Sequence, residues 1–207
     1  MNGTGMSRSS QKRTRILDAA QKRFAHYGLA KVTVDDIAAD LGISKAAVYY
    51  YFNTKEEVFR EVISREGNSF ITTARKIIDS ELPSAEKLRH YSLKRLTLLN
   101  QYANLKLIGL QTWLEMKPLL SDVLKSFMQK EISLLREILQ EGVENGQFVC
   151  DDVDSTALLI IHIYLGLSKQ VFMSFSEFSN YEEHFKKLYA EVELFISLLI
   201  NGLKIRK

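Results

Sequence analysis

The sequence predicts an all-α protein, with an N-terminal three-helix helix-turn-helix head joined to a larger C-terminal helical body, about nine helices in total. Three observations lead there. Apolar residues recur at spacings of three and four along nearly the whole chain, and no alternating strand pattern of useful length appears. The only prolines, Pro83 and Pro118, each stand at a predicted helix entrance. The 207 residues are 46% hydrophobic with a formal charge of +3, a balance that supports a packed core and excludes disorder for most of the chain.

The first ten residues, with Gly3 and Gly5 in a Ser/Thr/Asn background, read as a flexible tail. A first helix is expected from about Gln11 to Tyr27, burying Ile16, Leu17, Ala20 and Phe24 and stopping at Gly28. Thr33 caps a second, with Asp36 three residues on as in a capping box, and this helix ends at Leu41 and Gly42. Ser44 opens a short third helix containing Lys45, Ala46, Ala47, Val48, Tyr49 and Tyr50. Thr54 caps a fourth, with Glu57 at its third position, that runs towards Ile78. Further helices are expected at 84–102, 104–116, 119–145, 154–175 and 180–203, with Asp154 and Asn180 as N-caps and Gly146 as a stop. The resulting domains are a tail (1–10), a helix-turn-helix DNA-binding domain (11–53) and an effector-binding and dimerisation domain (54–207).

Charge is distributed unevenly. Residues 1–60 hold ten basic and six acidic residues, leaving a net −1 for the remaining 147. Among the first 31 residues, seven basic residues meet only Asp18. A basic lead-in suits a polyanion through phosphate contacts and counterion release, although charge alone favours the reading of a solvated basic helix face. The turn between the second and third helices separates these readings. Two closely crossing helices need a small contact residue, a turn residue that tolerates positive φ and an apolar lock. Ala38, Gly42 and the set Ile37, Leu41, Ile43 and Val48 supply them, with the spacing Ala-x3-Gly-x5-Val.

The surrounding residues extend the pattern. Ile16-Leu17-Asp18-Ala19-Ala20, Phe24-Ala25-x-x-Gly28, Val32-Thr33-Val34-x-x-Ile37-Ala38, Leu41-Gly42-Ile43-Ser44, Val48-Tyr49-Tyr50-Tyr51-Phe52 and Lys55-Glu56-Glu57 together resemble the tetracycline-repressor (TetR) family of bacterial transcriptional regulators. The resemblance covers about forty-five residues of the head; the remainder matches in length and helicity. It implies a homodimeric repressor that binds double-stranded, palindromic operator DNA and is released by a small effector. It also implies DNA contacts from Thr33, Lys45, Ala46, Ala47, Tyr49, Tyr50 and Lys55. The N-terminal residues of a recognition helix reach base edges, so Lys45 is expected on guanine and Ala46 or Ala47 on a thymine methyl. Thr33, Tyr49, Tyr50 and Lys55 are expected on phosphates, with Tyr50 also placed to reach a base. Many family members carry Thr at the position of Ala47 and His at that of Tyr50, which bears on the operator sequence.

The two C-terminal helices are apolar on two sides and must be covered twice. A four-helix dimer interface is therefore expected, carried by Leu158, Ile161, Leu165, Leu188, Val192, Phe195 and Leu199, with Gly166 allowing close approach. An effector pocket, implied by the resemblance, draws on Tyr91, Asn100, Gln111, Trp113, Met116, His162, Phe172 and Phe175. Their aromatic and methionine content points to a hydrophobic ligand.

Two other classes compete with this one, a helical dimeric adaptor and a small helical enzyme. Among His26, His90, His162 and His184 no pair has helical spacing, and Glu86 with His90 is too few ligands for zinc. No glycine elbow in strand context surrounds a serine, and Cys150 beside Asp151 and Asp152 lacks an activating positive environment. No enzyme activity, metal or cofactor is expected. The longest apolar run, Ala157 to Leu167, is eleven residues long and contains His162, too short for a bilayer. With one cysteine and no secretory leader, a reducing cytoplasm is expected.

Overall fold

A computed structural model describes residues 7–104, 110–174 and 181–204, and within these residues the chain folds as eight helices. They are α1 (Arg8–Tyr27), α2 (Val34–Leu41), α3 (Lys45–Tyr49), α4 (Lys55–Ile78), α5 (Ser84–Asn104), α6 (Leu110–Glu144), α7 (Val153–Ser174) and α8 (Tyr181–Leu203). An isolated bridge between Phe148 and Lys204 ties the α6–α7 connection to the end of α8.

Local chemistry sets the head. The Thr33 hydroxyl accepts the Asp36 N–H while the Asp36 carboxylate accepts the Thr33 N–H at 2.8 Å, a reciprocal cap on α2. Ser44 caps α3 by accepting the Ala47 N–H at 3.2 Å. Thr54 caps α4 by accepting the Glu57 N–H at 3.0 Å. Gly42 ends α2 at φ +63°, ψ +34°, and the Ile43 N–H reaches back to the Ala38 carbonyl at 3.1 Å, turning the chain sharply into α3. A Cβ at position 42 would meet no atom within 4 Å, so a side chain there costs backbone strain alone. Gly42→Ala is expected to lower stability by about 1–2 kcal/mol, read as a reduced Tm without loss of helicity.

Two apolar clusters organise the molecule. The head cluster gathers Ile16, Leu17, Phe24, Ile37, Ala38, Val48 and Phe52 with Val58, Phe59, Val62 and Ile63 of α4, and Phe24 meets Phe59 edge-on at 5.3 Å. Leu120 of α6 is buried in this same cluster, flanked by Leu119, Val123 and Leu124. The body cluster takes Phe70, Ala74 and Ile78 from the later turns of α4, and Leu134, Leu135, Ile138 and Leu139 from α6, and packs them on α5, α7 and α8. Helices α4 and α6 therefore each enter both clusters, and the head core extends beyond residue 53.

The structure differs from the sequence-based expectations at four points. First, α1 begins at Arg8, because Ser7 caps it by accepting the Ser10 N–H at 3.1 Å, so residues 8–10 are helical. Second, Pro118 lies inside one long helix, where helices at 104–116 and 119–145 were expected. An interior proline removes one backbone hydrogen bond, and burial of Leu120 with packing of Leu119, Val123 and Leu124 against the head offsets that loss. Third, Asp152 caps α7, accepting the Ser155 N–H at 2.9 Å, whereas the Asp154 carboxylate pairs with Arg136.

The fourth correction concerns the interface residues. On α7, Ala157, Ile160, Ile161 and Tyr164 face the body core, while Leu158, Leu159, His162, Leu165 and Gly166 are exposed along the opposite face. On α8, Leu188, Val192, Ile196 and Ile200 face the core, Phe195 and Leu199 pack at its edge, and Leu194 and Leu198 point outward, 61% and 64% exposed. Ile161, Leu188 and Val192 thus belong to the chain's own core, and the outward stripe is Leu158, Leu159, Leu165, Leu194 and Leu198. No described helix is long and apolar enough to cross a membrane.

Candidate nucleic-acid interface

The surface built by α2, the Gly42 turn and α3 displays most of the residues expected to touch DNA. Val48 is fully buried and holds α3 against the head core, so its neighbours on the other face project outward. Lys45, Ala46 and Tyr49 are exposed, Ala47 is half-buried, and Tyr50 is 80% exposed, packed edge-on against Tyr51 at 5.0 Å. An aromatic ring left this open by a well-packed head contributes little to folding, and a phenol there is available to a phosphate or base.

Three expected contacts, Thr33, Lys45 and Lys55, are engaged internally. The Thr33 hydroxyl donates to Asp36 at 2.7 Å, so its first role is to cap α2. Its bonds hold the Asp36 carboxyl below the usual carboxylate range. The Lys55 ammonium donates to the Leu29 carbonyl at 2.9 Å and is half-buried, tying the start of α4 to the α1–α2 connection. A lysine carries three donors, which leaves two for a phosphate.

Basic residues of α1 divide similarly. Arg23 forks onto Asp40 through Nε at 2.6 Å and Nη2 at 2.5 Å, bracing α1 against α2. Arg13 stacks over Phe52 at 4.9 Å and pairs with Glu61 at 2.9 Å. Arg8, Lys12, Arg15, Lys22 and Lys31 are exposed. The excess of positive charge in the first 31 residues is therefore partly structural.

The fold adds a contact between α2 and α3 that the sequence pattern does not announce. The Lys45 ammonium donates to Asp35 Oδ2 at 2.6 Å, with both groups on the exposed face and ten residues apart in the chain. That bond raises the lysine above its ordinary value. No spacing rule connects the start of one helix with the start of the next across a turn, so only the fold reveals the pair.

In the body, the polar centre is a buried network. Tyr91 donates to Glu131 Oε1 at 2.7 Å, and Arg95 Nε donates to the same oxygen at 2.7 Å. The Arg95 guanidinium lies 5.4 Å over the Tyr164 ring, and the hydroxyls of Tyr164 and Ser92 are 2.5 Å apart. Burial, then the Glu131 charge, push the Tyr91 phenol well up. Of the expected effector residues, Tyr91 belongs to this network, Asn100 is half-buried, and His162 lies on the exposed face of α7, away from the core. Gln111, Trp113, Met116, Phe172 and Phe175 lie outside the residues whose side chains are described. Among the described residues, no group of three or more His, Cys, Asp or Glu side chains is arranged to hold a metal.

Comparison with known proteins connects this geometry to a family. Residues 16–62 match the model of bacterial regulatory proteins, tetR family. The chain is 27% identical over 146 residues to the fatty acid metabolism regulator protein of Bacillus subtilis, covering 69% of this chain and 73% of that one. It is 28% identical over 153 residues to the HTH-type transcriptional repressor KstR2 of Mycolicibacterium smegmatis, covering 72% and 73%. Among solved structures, a transcriptional regulator from Cytophaga hutchinsonii superposes with a TM-score of 0.83 at 29% identity, over 94% of this chain and 99% of that one. The fatty acid degradation regulator FadR from Bacillus halodurans shares the fold, with a TM-score of 0.66 at 24% identity over the full length of both chains.

Proposed function

Taking as premise that this chain is a TetR-family transcriptional regulator with a helix-turn-helix DNA-binding head, and not an enzyme, we propose that it is a homodimeric repressor. It binds a palindromic operator in the cytoplasm and is released by a small hydrophobic effector. The observation that carries the dimer is the outward apolar stripe of Leu158, Leu159 and Leu165 on α7 with Leu194 and Leu198 on α8. These helices pack against each other, with Tyr164 edge-on to Phe195 at 6.0 Å, so the exposed leucines stand on neighbouring helices. A second copy related by a two-fold axis covers these leucines with the same residues and leaves both heads free.

Each head then lays α3 in the major groove. Lys45 reads guanine O6 and N7, Ala46 and Ala47 offer methyl surface, and Tyr49, Tyr50 and Lys55 meet phosphates with the N-terminus of α2 at Thr33. Release follows from the helices shared between clusters. α4 and α6 pack in both the body and the head cores, so an effector that favours a different packing in the body moves the heads off the half-site spacing. The relative in Bacillus subtilis is named for fatty acid metabolism, and fatty acids are accordingly the first effectors to try.

Gel-shift titration of the region upstream of the protein's own gene, with and without a panel of hydrophobic metabolites led by fatty acids, tests this reading. A salt-sensitive shift abolished by one class of metabolite is expected. Lys45→Ala should weaken binding to that fragment about ten- to a hundredfold and relax sequence preference. Equal binding by variant and wild type contradicts the assignment of α3, and a dimer that shifts neither this fragment nor any selected duplex supports a helical adaptor.

A further inference from the structure

We propose that Asp35 is a specificity-determining residue of the DNA interface, holding the Lys45 ammonium so that it answers guanine in preference to phosphate. The inference rests on the DNA-binding reading above. It starts from the 2.6 Å bond between Lys45 Nζ and Asp35 Oδ2 on the exposed face of α2 and α3.

Neither partner is needed for folding. An exposed pair of this kind contributes little to stability. The cap on α2 is made by Thr33 and Asp36, without Asp35. An acid in the first turn of α2 is favoured by the helix dipole, which accounts for a carboxylate there but not for its reach to the start of α3. Lys45 in the first turn of α3 is opposed by the same dipole, so the pair compensates a charge that folding disfavours. On a surface meant for a polyanion, a carboxylate also reduces affinity for every duplex. A bond from Asp35 to Lys45 that adds little to the fold and weakens general DNA binding is explained by discrimination.

The donor geometry supplies the means. An ammonium has three N–H donors, and with one fixed on Asp35 two remain, which match the paired acceptors O6 and N7 of guanine. Phosphate draws a lysine by charge, from any direction, and the neighbouring carboxylate cancels much of that pull. Asp35 therefore suppresses the sequence-independent contact while leaving the directional one.

The test uses full-length protein, a duplex enriched by the wild type from a random-sequence pool, and a scrambled duplex of equal length and composition. Asp35→Asn is expected to bind the scrambled duplex about five- to tenfold more tightly at physiological salt, with the salt slope steeper by about one unit, because one more cation is available to phosphate. The selected duplex, already held through guanine, should gain less, so the ratio of selected to scrambled affinity should fall. Asp35→Glu, which restores the charge, should return the ratio towards wild type. In a Lys45→Ala background, Asp35→Asn should leave the salt slope unchanged. An unchanged ratio in Asp35→Asn, or an equal effect of Asp35→Asn with and without Lys45, overturns the proposal. A wild type that enriches no duplex removes the DNA-binding reading itself, whereas a wild type that enriches one and an Asp35→Asn variant with unaltered discrimination removes the role of Asp35 alone.

Discussion

The double substitution Leu194→Glu, Leu198→Glu is expected to yield a folded monomer whose affinity for the operator is lower by about two orders of magnitude or more. Both leucines point away from the body core, so the fold loses nothing by their removal. In a two-fold interface each substitution enters twice, placing four carboxylates on a surface that otherwise buries leucines, each worth about 1.5–3 kcal/mol when covered. Loss of the dimer removes the gain from engaging two half-sites through one molecule, about 10²–10⁴ in affinity. Analytical ultracentrifugation and gel-shift titration read the two effects together. Val192→Glu is the control, because Val192 is buried in the chain's own core. It should unfold the body instead of separating folded subunits. An unchanged dimer in the double variant places the interface elsewhere.

Glu131→Ala is expected to lower folding stability by about 3–5 kcal/mol, since it leaves the buried Arg95 guanidinium without its counter-charge. Glu131 is almost wholly buried and receives bonds from both Tyr91 and Arg95. The network joins α5 to α6 directly and reaches α7 through Tyr164. Its net worth is a separate matter from the cost of breaking it. The triple change Tyr91→Phe, Arg95→Met, Glu131→Leu removes all the buried charge together, and stability close to wild type is expected. If urea unfolding gives Glu131→Ala a loss below about 1 kcal/mol, solvent reaches the site and the network is not a closed one.

What was legible in the sequence was local. Thr33, Ser44 and Thr54 announce helix starts because a hydroxyl accepting a backbone N–H is a short-range bond with a fixed spacing, and all three cap as read. Ser7 was hidden in a Ser-rich background where many residues offer the same chemistry. Pro118 was read as a boundary because the local rule is strong, and packing at Leu120 overrode it. In α7 and α8 the periodicity shows apolar residues on two sides, but hydrophobicity does not say which side the chain itself covers, and Leu188 and Val192, expected at an interface, lie in the chain's own core while Leu194 and Leu198 point outward. Glu131 did leave a signal, a carboxylate on the inward stripe with Leu134, Leu135 and Ile138. Its partner at Tyr91 is 40 residues away in sequence. The bond from Asp35 to Lys45 likewise depends on the crossing angle of two helices, which no residue pattern states.

Two copies of the chain are expected to read one two-fold-symmetric DNA site. Selection of duplexes from a random-sequence pool by the wild-type protein, followed by equilibrium binding of the enriched sequence over a range of salt, tests it most directly. Enrichment of an inverted repeat bound by one dimer, with affinity falling steeply as salt rises, is the predicted result. Recovery of no sequence, or of a single asymmetric half-site bound equally well by the Leu194→Glu, Leu198→Glu monomer, would contradict it.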